Sequence, residues 1–466
     1  MSTAAVRMWG SDDCERAHEA TLAVLADPGV VVQNARAREL LAAAGAKVDG
    51  SRVSIPATLV KEALETAPRS FPVKSRGGHE SLVMEQGNVY YGTGGDCLYI
   101  RDLDSGDRRR ARLDDVESLA ALSERLPGID FVMSMSLPED APEPGTDVAV
   151  FAALLRSTCK PLLICPVCTP ETMTVLQRMA GLAGEPNSFI LYAMSSPPLM
   201  HSEEALGRVM ACAELTIPVV YSAGACGGFS APASRSAVVV NSNAEVFTGL
   251  VVSQLVKPGA PFILGSTAPS MSMRTSNIVY NSPNTMAMQQ ALCDLGRHVG
   301  LPTFNIGGCS DSKALDGQWA AEAAVSLALA GLAGGTLVHD LGYLESGLQS
   351  SHESILFTDE LVGYVRAYVG GVPLDDIEAA VDEIRAAGPG GDHLSRPYTR
   401  KHFRDFWQPT LLDQRVHDRW QRDGSMGLRD RLAAKARQLR SEPPAFQLDT
   451  AVIDELDAIT SAAKAI

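Results

Sequence analysis

An α/β fold, a (β/α)8 TIM barrel with N-terminal and C-terminal helical extensions, is the architecture this sequence predicts. Between Val89 and Gly370 short β-rich runs alternate with longer helical runs eight times, with no long unpatterned gap. That alternation implies a parallel sheet wrapped by helices. The β runs are short and almost wholly apolar, as strands buried on both faces must be. No G-x-G-x-x-G follows the first run, which argues against an open dinucleotide-binding sheet.

The strand candidates are Val89–Thr93, Ile129–Ser134, Pro161–Cys165, Phe189–Met194, Pro218–Ser222, Pro261–Gly265, Pro302–Ile306 and Thr336–His339. Four of them open on proline, which a strand tolerates at its first position. The helical runs have recognisable starts. Asp114-Asp-Val-Glu117 reads as a capping box, Thr169-Pro170 as a cap followed by proline at the first helical position, and Ser202-Glu-Glu204 as a cap with acids at the positive helix end.

The barrel is expected over residues 86–372, with extensions over 1–85 and 373–466. Helices are expected at Asp13–Ala26, Ala35–Ala44 and Pro56–Ala67, then an alternating arm, Phe71–Val83. Beyond the barrel, Leu374–Ala387, Leu411–Arg440 and Thr450–Ala463 read as helices that dress the barrel or join subunits, so a homo-oligomer is expected. No run approaches the ~20 apolar residues that span a bilayer, and the N-terminus is no signal peptide, so the cytoplasm is the expected compartment. The nine cysteines are scattered, as reduced core thiols would be, and a net charge of −15 argues against nucleic acid and anionic membrane surfaces.

Chemistry is sought where barrels keep it, after the strands. Glycine-rich polar segments stand there: Gly92-Thr-Gly-Gly-Asp96, Ala223-Gly-Ala-Cys-Gly-Gly-Phe-Ser230, Gly307-Gly-Cys-Ser-Asp-Ser-Lys313 and His339-Asp-Leu-Gly-Tyr343. Such loops serve either tight turns or close approach of backbone to a ligand. His339 ends the last strand, positioned to reach the mouth or to tie neighbouring loops. His352 and Glu353 open the last barrel helix, where Ser350-x-x-Glu353 also fits a capping box. Asp311 and Lys313 could pair to fix their loop. Tyr91, Tyr192, Tyr221, Phe229, Tyr280, Tyr343 and Phe357 lie near strand ends, as core or as a cage for a quaternary ammonium. Cys165-Pro-Val-Cys168 lacks a histidine partner, so no metal is expected. Neither G-x-S-x-G nor a P-loop is present.

Several stretches carry a resemblance. Asn243-Ala-Glu245 runs into Gln254-Leu-Val-Lys-Pro-Gly-Ala-Pro261; Gly307-Gly-Cys-Ser-Asp-Ser-Lys-Ala-Leu-Asp316 is followed by Gln318 and Glu322; His352-Glu-Ser-Ile-Leu-Phe-Thr-Asp-Glu360 comes next. Together they resemble the trimethylamine methyltransferase family, with weaker likeness along nearly the whole chain. The resemblance implies a (β/α)8 barrel that passes a methyl group from a methylated amine to cob(I)alamin, supplied by a partner corrinoid protein or free in solution. It marks Gly307, Gly308, Ser310, Asp311, Lys313 and Glu353 as motif residues. This chain departs at Met271-Ser272-Met273 and Ser282-Pro283-Asn284, where acidic residues are usual, and at Tyr398, where histidine is frequent. Trimethylamine enzymes proper carry pyrrolysine, and this sequence has none.

That absence points to a quaternary substrate such as glycine betaine, because a quaternary ammonium leaves as a neutral amine without activation. Substrate contacts are expected from Tyr91, Tyr192, Phe229, Asn305, His339, Tyr343, His352 and Phe357. The alternatives are a methyltransferase for another methylated nitrogen or sulfur compound, and a barrel that only binds betaines.

Overall fold

The computed structural model describes residues 5–78, 80–165, 169–265 and 267–463. Seven parallel strands form its central sheet: β1 Tyr90–Thr93, β3 Leu162–Ile164, β4 Phe189–Met194, β5 Val219–Ser222, β6 Phe262–Gly265, β7 Thr303–Ile306 and β8 Leu337–Leu341. Their order is β1-β8-β7-β6-β5-β4-β3. The expected second strand is reduced to residues 131 and 132, where Phe131 bridges Gly92 and Val132 bridges Leu162, both parallel. This thread, β2, closes the barrel. Its pairing is thin because Asp130 accepts the Tyr91 amide through a side-chain oxygen at 2.7 Å, and Thr93 Oγ1 takes the Met133 amide.

Alternation along the strands divides two cores. Phe131, Met133, Leu163, Ile190, Val220, Ile263, Phe304 and Leu337 point inward and fill the barrel. Their neighbours Val132, Ile164, Leu191, Val219, Tyr221, Phe262, Ile306 and Val338 point outward into the core beneath the helices. Those helices are α1 Leu113–Glu124, α2 Thr146–Ser157, α3 Thr172–Leu182, α4 Glu203–Leu215, α5 Arg235–Val256, α6 Pro283–Val299, α7 Gly317–Ala333 and α8 His352–Val369.

The starts of these helices are only partly as read. Ser202 caps α4 by accepting the Ala205 amide. On α1, by contrast, Asp115 reaches back to the Arg112 amide at 2.8 Å, and Glu117 faces Arg156. Helix α3 begins at Thr172, two residues beyond Pro170, and Ser351 rather than Ser350 caps α8.

The N-terminal region holds its three expected helices, Ser11–Ala26, Ala35–Ala43 and Ala57–Thr66, and strands the helical reading omitted. Val30–Val32, Lys47–Asp49, Arg52–Ser54 and Met200–His201 form a small sheet. The arm is a hairpin, Phe71–Val73 with Leu82–Met84, whose Val73, Leu82 and Met84 join the inner barrel core and plug its N-terminal end. Met84 is fully buried there. Met84→Ala is expected to cost about 2–5 kcal/mol, measured by denaturant unfolding.

After the barrel, Leu428–Ser441 packs on α1 and α8, and Thr450–Ala463 packs on α2 and α3. The expected helix Leu411–Arg440 is broken: His417–Arg422 ends before Gly424 and Ser425, both at positive φ. Residues 372–427 contain no buried side chain. Among the described residues no helix is long and apolar enough to cross a membrane.

Candidate active site at the strand C-termini

The ends of β1, β3, β4 and β8, together with the segment before α6, surround one chamber. Asp96, Cys165, Tyr192 and Tyr280 retain accessible surface. Burial nevertheless dominates the ionisation of all four. Asp96 and Cys165 line a recess of about 130 Å³ with Met133, Ser134 and Asp147, and Tyr192 stands next to Cys165 and Tyr280.

Two aspartates anchor it. Asp96 and Asp340 both adopt left-handed backbone conformations, φ +65° and +70°. Non-glycine residues hold such angles at a cost, and they cluster where function over-determines the backbone. Asp340 sits at a register shift between Val338 and Leu341, a bulge that re-aims side chains at the barrel rim. The Asp96 carboxyl is pushed up to about 7 by burial. The Cys165 thiol, which donates to it, pulls the other way, and Asp147 and Asp340 raise it further.

Around Asp340 stand three tyrosines. Burial raises the phenols of Tyr192, Tyr280 and Tyr343, and the Asp340 carboxylate raises each further. Tyr192 hydrogen-bonds Ser222, and the Tyr343 hydroxyl hydrogen-bonds Cys97. Tyr280 and Tyr343 both border Gly347. His339 stacks on Phe304 with centroids 3.8 Å apart and lies 6.0 Å from Tyr192. Its Nδ1 is 2.7 Å from Asp340 Oδ1 but outside hydrogen-bond alignment, and its Nε2 has no partner among the described residues.

The resemblance-bearing motifs act behind this wall. Asp311 accepts the Tyr280 and Asn281 amides at 3.1 and 3.0 Å and the Ser346 hydroxyl at 2.7 Å. Glu322 takes the Ser310 hydroxyl and the Asp311 amide, and the Ser310 amide donates to the Tyr343 carbonyl. The motif therefore clamps Tyr280 and Tyr343 in place. Lys313 donates to the Asp311 carbonyl, so the expected Asp311–Lys313 ion pair is replaced by a turn contact. The Gly342 amide donates to the Gly308 carbonyl, and Gly307 packs under Val338. Glu245 does similar work beside β4, accepting the Ser195 hydroxyl and the Leu199 amide.

Of the expected contact residues, Tyr192, His339 and Tyr343 converge. Phe229 lies at the rim, 77% exposed. The others are elsewhere for reasons of strand and helix phase. Tyr91 is the outward neighbour on β1, covered by Arg366 at 5.3 Å. Asn305 also faces outward, against Gly335. His352 lies under α1, bonded to Ser118 at 2.8 Å, and burial holds it down to about 4. Phe357 packs on Trp319 in the α7–α8 interface. Glu353 accepts the Ser351 hydroxyl near the C-terminal helices. His352 instead lines a groove of about 620 Å³ beside Leu439 and Phe446, away from the strand ends. Cys168 lies outside the described residues.

Sequence reasoning missed Asp96, Asp340 and Cys165 as chamber groups. Their signal was an acid or thiol at a strand end, with an aspartate directly after glycine or histidine.

Asp96 carries a stability consequence. Between its ordinary value of 3.8 and about 7 the folded protein holds a proton that the unfolded chain has lost. Stability from this group therefore falls as pH rises through that window. Asp96→Asn is expected to melt higher than wild type, with the gap widening from pH 4 to pH 8; a pH-independent gap would contradict it.

Fold and mouth together define a barrel whose strand ends carry aromatic rings and carboxyl groups. The chain belongs to the trimethylamine methyltransferase family, whose model matches residues 2–465, and it is a methyltransferase. It is 29% identical to the glycine betaine methyltransferase of Desulfitobacterium hafniense, over 93% of each chain. It is 27% identical to the trimethylamine methyltransferase of Methanosarcina barkeri, over 98% of this chain and 95% of that one. The crystal structure of the monomethylamine methyltransferase of M. barkeri superposes with a TM-score of 0.53 at 11% identity, covering 92% of this chain and 88% of that one. It supports the barrel fold.

Proposed function

We propose that the protein transfers a methyl group from a quaternary ammonium compound to the cob(I)alamin of a partner corrinoid protein. The observation that carries this reading is the gathering of three tyrosines about the His339–Asp340 pair at the C-terminal end of the barrel: Tyr192 lies 6.0 Å from His339, and Tyr280 and Tyr343 both border Gly347. A desolvated tyrosine face attracts a cation by about 2 kcal/mol or more, and a nearby carboxylate adds to it.

The corrinoid supplies the nucleophile. The chamber suits a small ammonium ion, and a corrin ring belongs above it. Exposed Met194, Phe229, Met273 and Ile278 edge the strand ends with apolar surface. The Phe229 and Met273 loops are joined, the Met271 amide donating to the Gly227 carbonyl. These side chains fit a partner's docking face. The C–N bond breaks with its electron pair staying on nitrogen, and the neutral tertiary amine leaves without a proton. Tyrosines and aspartates hold the cation, the stacked His339 and Phe304 close the floor, and one methyl faces the opening. Orientation is the catalytic contribution, so no acid–base pair is required.

A reduced cobalt acceptor needs a reducing compartment, which is the cytoplasm. The helix Ile377–Ala387 buries no residue and exposes Ile377, Val381 and Ile384 along one face, which fits contact with a second copy of this chain. Light scattering at a multiple of the monomer mass, lowered by Val381→Asp, is the expected result.

The direct test is methyl transfer to cob(I)alamin from tetramethylammonium, choline, glycine betaine and carnitine, followed by the absorbance of the methylated product. Transfer from at least one supports the reading. Inactivity with all four sinks the substrate class.

A further inference from the structure

Charge inside the chamber distinguishes between quaternary ammonium compounds. Its ionisable groups are acids and weak acids: Asp96 and Asp340 with Cys97, Cys165, Tyr192, Tyr280, Cys309 and Tyr343. Cys165, Asp147 and Asp340 stand around Asp96, and Asp96 and Cys165 share one recess with Asp147.

Among the described residues of the surrounding loops, Arg108, Lys313 and Arg110 are engaged outside, and Arg274 stands exposed at the tip of the hairpin Ser270–Ser272 with Asn277–Val279. Arg108 binds Glu345 through two hydrogen bonds of 2.8 and 3.0 Å and covers the Tyr99 ring at 3.3 Å. Lys313 donates to the Asp311 carbonyl at 2.8 Å, and Arg110 faces Glu139 at 3.6 Å. His339 is the remaining basic group of the wall. Its Nδ1 lies 2.7 Å from Asp340 Oδ1, so this ring nitrogen faces the aspartate rather than a ligand.

A betaine carries its carboxylate carbon a few bonds from its nitrogen, two in glycine betaine and four in carnitine. Held with a methyl toward the opening, it must place that carboxylate inside the same acidic chamber. There the carboxylate meets like charge from Asp340 and Asp96, an arrangement that rejects a ligand more strongly than a missing contact does.

We propose, resting on the methyl-transfer reading above, that the donor is a quaternary ammonium ion without a carboxylate. Asp340 and Asp96 match its charge and select against betaines. Tetramethylammonium and choline represent the accepted class, glycine betaine and carnitine the rejected one. The two aspartates are specificity-determining residues.

The experiment compares kcat/KM for these four compounds with cob(I)alamin as acceptor, alongside calorimetric binding of each to the wild-type protein. Tetramethylammonium or choline is expected to exceed both betaines by at least a hundredfold. Asp96→Asn is expected to narrow that ratio by tenfold or more, and Asp340→Asn provides the same comparison through the other carboxyl group. A betaine used as well as or better than choline overturns the proposal while leaving the methyl-transfer reading intact. Absence of transfer from all four overturns that reading instead. The calorimetric arm then still decides the charge selection, because a betaine bound as tightly as tetramethylammonium refutes it.

Discussion

Asp340→Asn is expected to lower kcat/KM for methyl transfer from tetramethylammonium by two to three orders of magnitude in a protein that still folds. Asp340 is 4% exposed, stands on the bulge of β8, and acts on all three chamber tyrosines. Removing one partner of a desolvated charge pair costs about 2–5 kcal/mol, which corresponds to that fall. Asparagine keeps the shape and tolerates the left-handed backbone of this position, so packing is preserved. Steady-state transfer kinetics with a thermal melt provide the check. A variant with wild-type kcat/KM would place the cation elsewhere.

Gly94→Ala should be nearly as damaging, through space alone. A Cβ at Gly94 would lie 2.3 Å from the Tyr343 ring, far inside contact distance. The ring cannot withdraw freely, because its hydroxyl bonds Cys97 and its carbonyl accepts the Ser310 amide. Overpacking of this kind costs about 1–3 kcal/mol, and here the cost falls on a wall of the chamber. A loss of tenfold to a hundredfold in kcat/KM is expected, while Tyr343→Phe, which keeps the ring, stays within a few fold of wild type. If Gly94→Ala transfers methyl groups at the wild-type rate, the Tyr343 ring is not part of the ligand's wall.

The sequence makes the barrel legible because each strand is a compact apolar run between helical stretches. Phe189–Met194 matches the observed strand residue for residue. The weakest strand was the least legible: residues 131 and 132 complete their pairing through side chains of Asp130 and Thr93, a choice no periodicity records. The short strands at 30–32, 47–49 and 52–54 were hidden for a similar reason. They are three residues each, too brief to display a period, and they exist because they pair with one another and with Met200–His201.

The site was legible as a place more than as a set of residues. Tyr192 and His339 follow from inward phase on their strands, while Tyr91 and Asn305 fail by one residue, the step that turns a side chain to the other face. His352 and Phe357 lie on the helix after the mouth, where family-specific text was strong but the side chains serve packing. Asp96 and Asp340 escaped notice because the left-handed backbone that aims them is a tertiary property. The Ser310–Asp311–Glu322 network shows why a specific motif need not touch a ligand: it fixes the loops that carry the tyrosines.

The central claim is that a methylated cation binds between Tyr192, Tyr280 and Tyr343 beside Asp340. A crystal structure of the protein with tetramethylammonium tests it most directly. The nitrogen is expected within about 6 Å of the tyrosine ring centroids, with Asp340 the nearest charged group. Tetramethylammonium absent from this chamber, or seated instead in the groove beside His352 and Phe446, would contradict it.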